Sequence, residues 1–100
     1  MKLYGEEDKS TLLEAYNYAT SYCELLRFQE AKALMLKTIP VARRVLGEGD
    51  LITIKMKKIY ARSLYEDDAA TLNDLREAVT TLAETERTAR RVFLESHIRS

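Results

Sequence analysis

Leu46-Gly47-Glu48-Gly49-Asp50-Leu51-Ile52-Thr53-Ile54 restates Tyr4-Gly5-Glu6-Glu7-Asp8-Lys9-Ser10-Thr11-Leu12 at a distance of 42 residues. The match continues past the loop, with Tyr18, Ala19, Ser21 and Glu24 returning as Tyr60, Ala61, Ser63 and Glu66. Further on the offset becomes 47, where Glu30, Ala31, Thr38, Ala42, Arg43, Arg44 and Val45 equal Glu77, Ala78, Thr85, Ala89, Arg90, Arg91 and Val92. Five residues have therefore been added to the second copy between Arg62 and Glu77. A chain that repeats itself at this period is built from stacked copies of one supersecondary unit.

The unit is helical. Asp8 or Ser10 can cap a helix in which Leu12, Ala15, Tyr18, Ala19, Tyr22, Leu25 and Leu26 recur at three- and four-residue spacing, to about residue 26. A turn at Arg27 and Phe28 leads to a second stripe of Ala31, Leu34, Met35, Ile39, Ala42, Val45 and Leu46. Gly47 is placed to end that helix in a left-handed conformation, and Arg43 and Arg44 suit its negative end. Pro40 lies inside it, where a bend is expected between Leu36 and Pro40.

The third stripe runs over about 51–66 with Ile52, Ile54, Met56, Ile59, Tyr60 and Leu64. Thr71 and Asp74 have the spacing of a capping box, although Asn73 could also begin the fourth helix. Leu75, Ala78, Val79, Leu82, Ala89, Val92 and Phe93 carry its apolar stripe to about residue 94. No segment alternates with period two, so the fold class is all-α.

Composition agrees. Of 100 residues, 46% are hydrophobic and 32% charged, with three glycines and one proline. Sixteen basic residues balance sixteen acidic ones, so no global field draws the chain to nucleic acid or an anionic membrane. The charge is nevertheless blocked: residues 6–30 hold six acids and two bases, residues 31–62 hold eight bases and two acids, and residues 63–86 hold seven acids and one base. No apolar run approaches the roughly 20 residues of a membrane span, and the first residues do not resemble a signal peptide. Cys23 is the only cysteine, which suits a small buried hydrophobe in a reducing, cytoplasmic setting.

These residues resemble tetratricopeptide (TPR) repeats of the longer kinesin-light-chain type. In that family a small residue on the first helix precedes an alanine on the second by 12 positions. Ala19 and Ala31 have that spacing, and Ala61 and Ala78 have it plus the five added residues. Phe28-Gln29-Glu30-Ala31 is similar to the family's aromatic-x-Glu-Ala turn. Ala42-Arg43-Arg44-Val45-Leu46-Gly47-Glu48 with Asp50-Leu51-Ile52-Thr53 resembles its inter-repeat signature. The resemblance implies one domain, 1–100, of two tandem helix-turn-helix repeats in a right-handed superhelical stack of four antiparallel helices. Repeat one covers about 8–47 and repeat two about 50–94, and the residues from 94 to 100 resemble the start of a further inter-repeat loop.

It also implies a concave groove along the first helices that holds a peptide or partner helix. Mapped by position, the groove is expected to receive Leu13, Tyr16, Asn17, Thr20 and Glu24 from the first repeat and Lys55, Lys58, Arg62 and Tyr65, with Ile59 as a further candidate, from the second. Asn17 matches the family's groove asparagine, and Ile59 stands at its counterpart. Lys55, Lys58 and Arg62 share one helix face, either to hold an acidic segment or as a solvated basic face beside Glu14 and Glu24. Tyr18, Tyr22 and Tyr60 are expected in the core.

Catalysis finds little support in the residues. His97 is the only histidine and is distant from Cys23 in sequence, and the Gly47–Asp50 loop lacks the Gly-Lys-Ser/Thr of a phosphate loop. The sequence thus points to a non-catalytic protein-interaction module without cofactor, metal, nucleic-acid or membrane partner. The other reading is a structural piece of a longer array that self-associates through exposed repeat ends, since stable arrays generally need about three or more units.

Overall fold

The computed structural model describes residues 8–99, so the first copy of the loop at 4–7 lies outside the described residues. Four helices follow one another: α1 (Lys9–Glu24), α2 (Phe28–Leu46), α3 (Leu51–Tyr65) and α4 (Leu72–Arg99), and no strand occurs among the described residues.

The repeated aspartate is a helix cap in both copies. The Asp8 carboxylate accepts from the Ser10 amide at 2.7 Å, and 42 residues on Asp50 accepts from the Ile52 amide at 2.8 Å. Each satisfies one of the amides that a helix start leaves free. At α4 the capping box is complete. The Thr71 amide donates to Asp74 at 2.9 Å while the Asp74 amide donates to the Thr71 hydroxyl at 3.1 Å.

The turn after α1 differs from the expected one. The helix stops at Glu24, and Leu25 and Leu26 are exposed rather than part of its apolar stripe. Leu26 adopts a φ of 63°, a left-handed conformation that puts a branched side chain under strain and breaks the periodicity. α2 runs without interruption through Pro40 to Leu46 and ends at Gly47, whose φ of 94° and ψ of 161° belong to a region open essentially to glycine alone.

Neighbouring helices are antiparallel. Gln29 bonds Asp67 across α2 and the end of α3 at 3.0 Å, and the Thr53 hydroxyl reaches the Ala42 carbonyl at 3.5 Å. Tyr60 meets Glu77, whereas Val92 lies beside Gly49. α3 touches all three other helices, and ten of its fifteen residues are buried. The core collects Leu12, Ala19, Cys23, Met35, Met56 and Leu64 around it. The fold measures 44 × 37 × 19 Å, a slab about two helices thick.

Further expectations need correction, among them Val45, which is exposed and not part of the buried side of α2. Tyr18 is 63% exposed, because it lies at the outer edge of the α1–α2 pair, beside Leu34, Lys37 and Thr38 of α2, where no further helix covers it among the described residues. In α4 the buried residues are Ala78 and Thr85, with Asp74, Thr81, Thr88 and Val92 half-buried along the same line. The expected stripe of Leu75, Val79, Leu82 and Phe93 is exposed, since no element among the described residues lies over it. Finally, residues 94–99 are not a loop: α4 continues to Arg99, and its 28 residues outrun the 15 of α3 by roughly 20 Å.

Two substitutions separate the strained turn from the glycine it needs. Gly47→Ala is expected to lower stability by about 1–3 kcal/mol, and Leu26→Gly to raise it by about 0.5–1 kcal/mol, since left-handed strain exceeds the entropy of an added glycine. Urea unfolding of the two variants checks both signs.

Candidate functional site

Two faces of the slab carry polar chemistry. The first is the open side of α1 and α3. Along α3 the exposed or half-buried residues Leu51, Lys55, Lys58, Arg62 and Tyr65 form one strip, because positions three and four apart share a helix face. α1 contributes Leu13, Tyr16 and Thr20 beside it.

The structure brings Lys55 and Tyr16 together. The ammonium sits 5.9 Å from the ring centroid, within cation–π range. The Thr20 hydroxyl donates to the Tyr16 carbonyl at 3.0 Å, one turn back on α1. Arg62 is engaged by Glu66 at 2.9 Å and is near Glu24, so its charge is partly answered within the chain. Lys58 and Lys55 have no carboxylate within ion-pair distance among the described residues. Tyr65 is half exposed at the end of the strip.

Asn17 stands apart from this strip. It lines a shallow recess with Glu14, Tyr18 and Ser21 on the outer side of α1. The 42-residue register explains why. Asn17 corresponds to Ile59, which α3 buries in the core, and α1 has no preceding helix among the described residues to bury its own copy.

The second face is a groove of about 210 Å³ between α2 and α4, floored by α3. Met35, Leu36, Ile39 and Pro40 form its apolar wall, and Glu77, Thr81 and Glu84 its polar wall. In the floor Lys57 is buried, a rare state for lysine unless it is paired. Its ammonium is bonded to Glu48, which also meets Arg43 Nε at 3.0 Å. The hydrogen bond from Lys57 holds the Glu48 carboxyl below the usual carboxylate range, against the opposing effect of burial, with Lys57, Arg43 and Arg91 adding their charge. Beside this pair the Tyr60 hydroxyl donates to Glu77. Burial first, and then the Glu77 carboxylate, push the Tyr60 phenol well above its ordinary value, so it stays protonated as a donor.

Neither pair is apparent from sequence spacing in the way the basic strip is. One signal exists: Lys57 falls on the register position of Ala15, a buried residue of α1, so a lysine there must find an anion. The repeated loop supplies it, giving Glu48 a structural role. Cys23 is fully buried, and burial pushes its thiol up, away from the reactive thiolate. Among the described residues no group of three His, Cys, Asp or Glu could hold a metal ion, and no helix is long and apolar enough to cross a membrane.

No family model, no curated protein and no solved structure matches the chain.

The buried pair makes an asymmetric prediction. Glu48→Gln leaves the Lys57 ammonium buried without its anion and is expected to lower stability by about 1–3 kcal/mol. Lys57→Met leaves Glu48 half in water beside Arg43 and is expected to change stability by less than about 1 kcal/mol. The depressed carboxyl contributes stability that is present above its unfolded value near ~4.3 and is lost as pH falls through the lower folded value. Acid unfolding of the wild type is therefore expected to show a loss below about pH 4.5 that Glu48→Gln lacks. Tyr60 has the opposite sign: its contribution is full below ~10 and is lost as pH rises beyond it. Tyr60→Phe, followed by thermal unfolding at neutral pH, is expected to cost about 1 kcal/mol.

Proposed function

We propose that the chain is a non-catalytic protein-interaction module that uses the open side of α1 and α3 to hold an acidic segment of a partner protein. The observation that carries this reading is the pair of ammonium groups, Lys55 and Lys58, left without a carboxylate among the described residues and set beside exposed apolar side chains. Such a strip offers charge-assisted hydrogen bonds and apolar contact together. Tyr16 beside Lys55 and Tyr65 at the end of α3 supply amphipathic rings, the side-chain type favoured at binding hot spots.

The repeated helical pair supports a TPR-like reading of the fold, in which first helices line the ligand groove. Under that reading α1 and α3 are the first helices. Thr20, Arg62 and Tyr65 join the two lysines in the groove, and Asn17 lies outside it, in the recess on the outer side of α1. A second reading, a structural unit of a larger helical array, is favoured by the exposed apolar stripe of α4.

Fluorescence anisotropy with a labelled acidic peptide, and with its Lys-for-Glu counterpart, tests the first reading. Binding is expected for the acidic peptide alone, weakening with salt, and a Lys55→Glu/Lys58→Glu variant is expected to lose about tenfold or more in affinity. Absence of binding, or binding indifferent to the charge reversal, would sink it.

A further inference from the structure

α1 and α3 run side by side in the same direction, so the strip between them has two different ends. Lys9 lies 3.9 Å from Asp50 at the helix starts, Tyr16 meets Lys55 midway, and Glu24 acts on Arg62 near the helix ends. The chemistry changes along the same line. Leu13 and Leu51, 43% and 63% exposed, stand toward the first end. Lys55 and Lys58 hold the middle, and Glu24 and Glu66 flank Arg62 at the far end.

The balance of charge differs from section to section. The middle has two ammonium groups with no carboxylate in ion-pair distance among the described residues. At the far end two carboxylates face one guanidinium. Glu66 takes it at 2.9 Å, which leaves Glu24 without a cation in ion-pair distance among the described residues. Asp68, exposed just beyond α3, adds a further negative charge there. Because the two helices are parallel, their carbonyl ends also fall together at this end and reinforce its negative potential. The first end has exposed leucines, and its nearest ions, Lys9 and Asp50, answer each other.

We propose that the strip accepts its partner segment in one chemical order: a large apolar side chain over Leu13 and Leu51, acidic side chains at Lys55 and Lys58, and a basic side chain at Glu24. This rests on the reading of the strip as a site for an acidic segment, and it adds the flanks and direction of that segment. A uniformly acidic partner matches only the middle, because its last carboxylate would meet Glu24 and Glu66, and like charges in contact select against it. A partner without an apolar flank leaves Leu13 and Leu51 in water. From Leu51 to Glu66 the strip is about 22 Å long, so it spans roughly seven residues of extended chain or four turns of helix.

Fluorescence anisotropy on the full chain at low salt tests the order with three labelled peptides that share one acidic core. The first has a leucine on one side of the core and a lysine on the other. The second replaces that lysine with glutamate, and the third replaces that leucine with serine. The first is expected to bind about fivefold more tightly than either of the others. Glu24→Lys puts a cation at a helix end that favours one, and is expected to invert the preference between the first two peptides. Leu51→Ser is expected to abolish the preference between the first and the third. Equal binding of the first peptide and either of the others by the wild type overturns the order, as does a preference that Glu24→Lys leaves in place. Both results leave the acidic-segment reading standing. If none of the three peptides binds, that reading falls and the order falls with it.

Discussion

α3 has neighbours on three sides, and the rest of the molecule follows from that constraint. A helix enclosed in this way needs its polar groups answered from within. The Ser63 hydroxyl donates to the Tyr60 carbonyl at 2.6 Å, and the Thr53 hydroxyl reaches back to Ala42. Lys57 presents the harder case, since a buried ammonium without an anion is strongly unfavourable. Glu48 answers it from the loop that precedes α3, and so ties the conformation of that loop to the packing of the helix. The Gly-Glu-x-Asp sequence thus does three local tasks. Gly47 releases α2, Glu48 neutralises Lys57, and Asp50 caps α3.

Close approach of the helices has a similarly simple origin. Ala19, Ala31, Ala61 and Ala78 are all essentially without exposure, one on each helix. A larger side chain at any of them would push two helices apart and open the thin core that a slab of this depth provides. Larger groups such as Met35, Met56 and Leu64 fill the space on either side. Methionine is well suited to irregular gaps of this kind, being unbranched and flexible.

Much of this was legible in the sequence because it is local or periodic. The four helices, the cap at Asp8, the Thr71–Asp74 box and the glycine stop at Gly47 each depend on a few neighbouring residues. What failed was the reading of apolar periodicity as burial. Val79 and Leu82 have the spacing of a core face, but spacing states only that a face exists, not that something covers it. Tyr18 failed for the same reason at the other end of the slab. Leu26 failed because its backbone turns left-handed, which no propensity of leucine suggests. The basic strip on α3 was legible as a face, whereas the burial of Lys57 was signalled only by its register match to the apolar Ala15, and spacing along α3 does not point to its partner Glu48, which comes from the preceding loop.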